Sequence, residues 1–260
     1  MTNDLFLVII IQMIIENYKS SYLASLEVAE RIASYIRKTQ LENKHCVLGL
    51  ATGSTPINVY QELVRMHKRE NLSFENVHTF NLDEYCGLRK THMESYYYFM
   101  FEHLFSYIDI PHKNIHIPDG MLHENDIHNY CLDYESQISE LGGIDIQILG
   151  IGRNGHLGFN EPNCDMNSIT RKIELTETTR IDATPSFGKL SCVPKYALTM
   201  GMQTILNART IYFMAFGESK KQIVETAFTK NITEEVPASF LQSHPRCYIC
   251  LDQYTNITEQ

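Results

Sequence analysis

No apolar stretch in this 260-residue sequence is long enough to cross a bilayer. Leu5 to Ile11, extended past Gln12 by Met13 to Ile15, falls far short of the roughly 20 residues that a spanning helix needs. The run also lacks a basic leader and a small-residue cleavage site, so it makes a poor secretion signal. It reads as a buried first strand; the alternative is that Met13 is the natural start and residues 1–12 are an appendage. There is no internal repeat, no low-complexity tract and no Pro/Gly/Ser linker, so one domain over residues 1–260 is expected. Basic residues are in deficit, 22 Lys and Arg against 31 Asp and Glu, for a net charge of −9. That argues against non-specific nucleic-acid binding, which depends on neutralising phosphates. One local cluster of donors is still enough to hold one phosphate. The seven cysteines are odd in number and irregularly spaced, which excludes a disulfide framework and fits a reduced, cytoplasmic chain. Only Cys247 and Cys250 have a suggestive spacing. They lie in RCYICL, a strand-like run on which positions i and i+3 face opposite ways, so they are ill-placed for one metal ion.

What recurs is strand, loop, helix. CVLGLA (46–51) leads into TGSTP and a helix to about Lys68. VHTFNL (77–82) leads into DEYCGL, and SYYYFMFEHLFSYI (95–108) reads as a buried aromatic helix. NIHIP (114–118) is a short strand, and Glu124 to Leu141 is an amphipathic helix stopped at Gly142-Gly143. IDIQILG (144–150) precedes IGRNGHLGFNEP, TIYFMAF (210–216) precedes GESK and a helix to about Thr229, and RCYICL (246–251) closes the sheet. Apolar strands alternating with amphipathic helices predict an α/β fold: three αβα layers, an open and mainly parallel sheet with helices on both faces, Rossmann-like. Such sheets bind ligands beyond the carboxyl ends of their strands. Thr52 to Thr55, Asp83-Glu84, Asn154-Gly155-His156 and Lys220 all follow strands and so converge on that edge. The linkers of the other edge, Glu42 to Lys44 and Arg69 to Ser73, read as solvated turns.

Each constellation has its own chemistry. In Thr52-Gly53-Ser54-Thr55-Pro56, Gly53 allows close backbone approach, and hydroxyls with free N–H groups at a helix start form an anion site. The same residues would also serve as a simple cap. The loop is neither a Walker A nor a dinucleotide fingerprint. Lys220 stands in the first turn of a helix, where the dipole mildly disfavours a cation; an anionic ligand would account for it. Asp83, at the mouth of the sheet, is placed to act as a general base. His156 can exchange protons near neutral pH, and Asn154 and Glu161 are suitable to orient its ring. A metal reading fails for want of further ligands at a sensible spacing.

These strings resemble the glucosamine-6-phosphate isomerase/deaminase family. The resemblance is carried by LGLATGSTP (48–56), LSFENVHTFNLDEY (72–85), ESYYYFM (94–100), LGIGRNGHLGFNEP (149–162), VPKYALTMGMQTILNAR (193–209) and VPASFLQSHP (236–245). The lactonase sister group has a GxDGHxASLFP-like string where this chain has FNEP. The resemblance implies that Asp83 moves a proton between C2 and C1 of a hexosamine 6-phosphate. It implies that His156 opens the sugar ring, with Asn154 and Glu161 as its relay. Thr52, Gly53, Ser54, Thr55 and Lys220 would contact the phosphate, under a lid at about residues 163–192. No metal or organic cofactor is implied, and monomer and homo-oligomer stay open. Three features depart from the family pattern. The lid arginine of an NSRFF-like string is missing from Ala183-Thr184-Pro185-Ser186-Phe187. Ile173 replaces the Lys of an effector-binding Arg-x-Lys pair of which Arg171 remains. The chain also ends soon after RCYICLD. The last two imply a non-allosteric enzyme. The expected activity is glucosamine-6-phosphate deamination. The DEW and LNEP strings of the galactosamine-6-phosphate branch, the nearest alternative, are DEY and FNEP here. A non-catalytic sugar-phosphate-binding regulator is a further alternative, but no DNA-binding module is visible.

Overall fold

The structure, a computed structural model, describes residues 12–257. In chain order the elements are β1 (Gln12–Asn17), α1 (Ser21–Leu41), β2 (Cys46–Leu50), α2 (Ile57–Glu70), β3 (Val77–Asn81), β4 (Asp83–Tyr85) and α3 (Tyr96–His103). Then come β5 (Ile115–His116), α4 (Ile127–Glu140), β6 (Ile146–Leu149), β7 (Arg171–Glu174), α5 (Glu177–Phe187), β8 (Tyr196–Thr199), α6 (Met202–Leu206), β9 (Thr210–Ala215), α7 (Lys221–Thr229) and β10 (Arg246–Leu251). Seven strands form a parallel sheet in the order β1-β10-β9-β6-β2-β3-β5. All residues of β2, β6 and β9 are buried, as strands covered on both faces must be.

Two apolar cores sit on the two faces. Leu48, Leu50, Ile148 and Met214 pack with α1, α2 and α3 through residues such as Ile32, Leu63 and Met100. Val47, Phe80, Leu149 and Phe213 pack with α4, α6 and α7 through Ile138, Ile205 and Phe228. Each such side chain, fully buried, contributes about 1.5–3 kcal/mol. The three-layer α/β expectation therefore holds. Cys247 and Cys250 fall in different cores, on opposite faces of the sheet. Among the described residues no helix is long and apolar enough to cross a membrane.

Other expectations are corrected. A second sheet, β4-β8-β7, is antiparallel and was not foreseen. RCYICL does not close the parallel sheet, because β1 pairs outside it. Of the expected first strand, Leu5–Ile11 lie outside the described residues, and the extension Met13–Ile15 falls in β1. The aromatic run is not one buried helix. Leu104 turns the chain out of helical geometry (φ −140°, ψ −66°), a short 3₁₀ turn follows at Phe105–Tyr107, and Met100 is the buried residue of α3. On the short strand β5, His116 stacks on Phe80 with ring centroids 4.2 Å apart.

Candidate active site

The loops that leave β2, β6 and β9 all emerge at the carboxyl edge of the sheet, and β4 starts there, one residue beyond β3. They enclose a cleft of about 300 Å³ lined by Thr52, Gly53, Ser54, Thr55, Asp83, Tyr96, Arg153, His156, Gly158, Phe159, Asp182 and Lys220, among others. A hollow of about 510 Å³ lies at the opposite edge, but most of its charges already have partners. Lys44 pairs with Glu42 and Arg209 with Asp145, while the His45 ring bonds the Leu141 carbonyl.

Asp83 is placed by the change from one sheet to the other. Leu82 still donates to the Leu50 carbonyl of the parallel sheet at 3.0 Å, while its own carbonyl accepts from Met200 N. Asp83 then pairs with Thr199 across the antiparallel sheet. Its side chain is buried, and no ion pair or side-chain hydrogen bond holds it among the described residues. Burial first, and then the neighbouring Glu84 carboxylate, push its pKa well above the usual carboxylate range. A Cβ on Gly158 would stand 3.2 Å from Asp83 Oδ2, at a φ of +58°, so this position needs glycine. Glu84 turns the other way. Its carboxylate accepts from the backbone N–H groups of Tyr85 (2.8 Å), Tyr96 (3.0 Å) and Tyr97 (2.9 Å), while Ser95 caps α3 through Tyr98 N. Burial nevertheless raises Glu84 to about 7. This clamp brings the first residue of α3, Tyr96, to the cleft wall, where its ring stacks on Phe159 at 5.8 Å.

His156 is held from behind. Its Nδ1 lies 2.7 Å from Asn154 Oδ1, Asn154 Nδ2 donates to Glu161 Oε2 at 2.9 Å, and Thr176 Oγ1 donates to Glu161 Oε1 at 3.2 Å. Asn154 Oδ1 can only accept, so Nδ1 carries the proton and Nε2 keeps its lone pair. Burial lowers the His156 pKa, Glu161 opposes that, and Lys220 adds to it, so the ring is neutral at pH 7. Asn154 and Glu161 stand behind the cleft and do not line it. Lys220 ends a 3₁₀ turn at the start of α7 and donates from Nζ to the Ile151 carbonyl at 2.9 Å. Burial lowers its pKa too. Pro56 caps α2 and does not begin it, which leaves residues 52–55 as free loop. Among the described residues no group of three His, Cys, Asp or Glu is set to hold a metal ion.

A family model described as "Glucosamine-6-phosphate isomerases/6-phosphogluconolactonase" matches residues 20–249. The chain belongs to this family. It is 45% identical over 239 residues to the glucosamine-6-phosphate deaminase of Oceanobacillus iheyensis, covering 92% of each chain. It is 47% identical over 237 residues to glucosamine-6-phosphate deaminase 2 of Giardia intestinalis, covering 90% of this chain and 88% of that one. Among solved structures, a monomeric glucosamine-6-phosphate deaminase superposes with a TM-score of 0.88 at 40% identity, covering 94% of this chain and 98% of the other. The 6-phosphogluconolactonase of Thermotoga maritima, at 20% identity and a TM-score of 0.73, shares the fold.

Within this family fold, the cleft gathers Asp83, His156, Lys220 and the 52–55 loop as one site, with Asn154 and Glu161 as support. It also holds residues that the sequence reading passed over: Arg153, Asp182, Tyr96 and Phe159 at the wall and Thr176 behind Glu161. A cation inside a glycine-rich loop at the carboxyl edge was the available signal for Arg153. Phe159 lies in that same loop, whereas Tyr96, Asp182 and Thr176 depend on α3 and α5 folding back over the sheet. Arg180 and Lys189, the cations that flank the position of the missing lid arginine in sequence, do not line the cleft. Arg180 donates to the Leu190 and Val193 carbonyls, and Lys189 is exposed.

The imidazole lies against bare backbone. A Cβ on Gly152 would fall 2.1–2.2 Å from Cε1, Nδ1 and Nε2 of His156. Gly152→Ala should therefore displace the ring and lower kcat about 100-fold, the usual cost of moving a reacting group by an ångström. Steady-state rates beside a melting curve check this; a variant that keeps full turnover would mean that the ring position does not matter.

Proposed function

We propose that the protein is a glucosamine-6-phosphate deaminase, which converts glucosamine 6-phosphate and water into fructose 6-phosphate and ammonia. The observation that carries this reading is the meeting, in one cleft, of a buried carboxylate with no protein partner, a neutral imidazole with a free Nε2, and a lysine beside a hydroxyl-rich helix start. The identity of 45–47% to deaminases over most of the chain supports it.

In this reading Thr52 to Thr55 and Lys220 hold the 6-phosphate, which fixes the sugar with C1 and C2 toward Asp83. His156 Nε2 takes the proton of the C1 hydroxyl and returns one to the ring oxygen, so the pyranose opens to the aldehyde. Asn154, fixed by Glu161, keeps the ring in the tautomer this requires. Asp83 removes the C2 proton to give an enolamine and delivers a proton to C1. Water then adds to the resulting C2 imine, and ammonia leaves. The reading calls for no metal or organic cofactor, and it places the enzyme in the cytoplasm because the free cysteines suit a reducing compartment. The segment 163–192, which contains β7 and α5, acts as the lid.

Ammonia release from glucosamine 6-phosphate and galactosamine 6-phosphate, measured on the purified protein, tests the proposal. Turnover of the glucosamine compound well above the other is expected. A preference for galactosamine 6-phosphate would move the protein to the sister activity, and no ammonia from either would end the catalytic reading. The rate curve should also be hyperbolic and indifferent to N-acetylglucosamine 6-phosphate. Ile173 offers no charge, and Arg171 Nη1 is already committed to Asn160 Oδ1 at 2.9 Å. A sigmoidal curve that this compound makes hyperbolic would contradict the expectation.

A further inference from the structure

The cleft carries one ion pair that the proposed reaction does not use. Arg153 Nη2 lies 2.9 Å from Asp182 Oδ1. Arg153 stands in the GIGRNGH loop, between Gly152 and Asn154, and Asp182 is on α5. Both line the cleft with Lys220 and the 52–55 loop. We infer that Arg153 is a second phosphate-binding cation and that Asp182 is its internal competitor, holding in the free protein the guanidinium that the substrate's phosphate takes over. The inference rests on the reading of this end of the cleft as the phosphate site.

Geometry and charge both support it. Among the described residues, Arg153 and Lys220 are the Lys and Arg side chains that line the cleft. Arg180, a nearby alternative, is tied to the carbonyls of Leu190 and Val193. The pair is weakly held, since the side chains of Arg153 and Asp182 are 62% and 40% exposed and ion pairs in that setting contribute little. A phosphate dianion offers a guanidinium two parallel hydrogen bonds and twice the charge, so it outcompetes a single carboxylate contact. Finally, Asp182 and a bound dianion cannot share the cleft without repulsion, so binding must turn the carboxylate out. The tie between α5 and Arg153 is then released. The contact of Thr176, the cap of α5, with Glu161 behind His156 remains.

The test uses the intact protein and inorganic phosphate as the probe, with Kd measured by calorimetry at fixed ionic strength and a melting curve for each variant. Arg153→Gln should raise Kd about tenfold, and Asp182→Asn should lower it by about three- to fivefold. In the double variant the gain from Asp182→Asn should vanish, because the two effects act through one guanidinium. Arg153→Lys should fall between wild type and Arg153→Gln. If Lys220→Ala weakens binding but Arg153→Gln changes Kd less than about twofold, the phosphate site stands and the role of Arg153 falls. If Asp182→Asn weakens binding, the carboxylate orients Arg153 and is no competitor, which overturns that half of the inference. If neither Lys220→Ala nor Arg153→Gln changes Kd, the phosphate reading itself is wrong.

Discussion

Asp83→Asn should lower kcat by about 10²–10⁴-fold, the range that a positioned general base contributes, and should leave the protein at least as stable as wild type. Both halves follow from the same environment. The carboxylate is buried, flanked by Glu84 and, among the described residues, without a partner for its charge, so its pKa is raised in the folded state. A carboxyl whose folded pKa exceeds its unfolded one binds more protons when folded. Stability therefore falls as pH rises through the window between the two values, and the deficit is complete above the folded pKa. An amide has no such deficit. The melting-temperature advantage of the Asn variant should accordingly grow as pH rises from the ordinary carboxylate range through the raised pKa of Asp83. For the wild type, the charged form is the base, so the acid limb of kcat/KM should lie above the ordinary carboxylate range. Near-wild-type turnover by Asp83→Asn would remove it from the reaction. A variant that is inactive and also strongly destabilised would mean that the carboxylate holds the fold.

The features legible in the sequence share a physical cause. β2, β6 and β9 are buried on both faces, so burial forces an unbroken apolar run, and each run is closed by a glycine-containing loop. The chain direction of a parallel sheet then puts the loops at 51–56, 150–162 and 216–220 on one edge, so the cleft could be assembled on paper. The β4-β8-β7 sheet had no such signature. Asp83–Tyr85 is three residues long, its partner Thr199 is distant in sequence, and β7 is largely half-buried, so no period could develop. Asp83 was therefore read as a strand-end turn, although it begins a strand. β1 was legible only in its middle: Met13–Ile15 continue the apolar run read as a first strand, while Glu16 of this edge strand pairs with Arg31 of α1 at 2.8 Å and the polar ends dilute the apolar signal. In the lid, Arg180 and Lys189 are cations near the vacant position in sequence, but α5 turns Arg180 into the carbonyls that follow the helix. Nearness in sequence could not rank them against Arg153, which arrives from a different loop.

His156→Gln should cut turnover of glucosamine 6-phosphate by about 10²–10⁴-fold, with a much smaller loss on an analogue that lacks the ring oxygen and so never closes a pyranose. The asymmetry follows from the hydrogen bonds. Nδ1 is spent on Asn154 Oδ1 at 2.7 Å, and Asn154 is in turn fixed by Glu161 at 2.9 Å, so Nε2 alone faces the sugar. One nitrogen that both takes and returns a proton is what ring opening needs: a proton leaves O1 and another arrives at the ring oxygen. Glutamine reaches the same region and can still donate or accept a hydrogen bond, but it cannot change protonation state, so binding should survive and the transfer should not. In the proposed mechanism the subsequent step at C2 belongs to Asp83 and has no need of His156. Burial lowers the imidazole pKa, so the wild-type ring is neutral through the neutral range, and the base form is lost only when acid protonates it. The experiment compares kcat and KM of wild type and His156→Gln on the cyclic and the open-chain compounds at pH 7. Equal losses on both would take His156 out of ring opening and leave it as a residue that shapes the glycine-rich loop. A rise confined to KM would make it a substrate contact without a role in proton transfer.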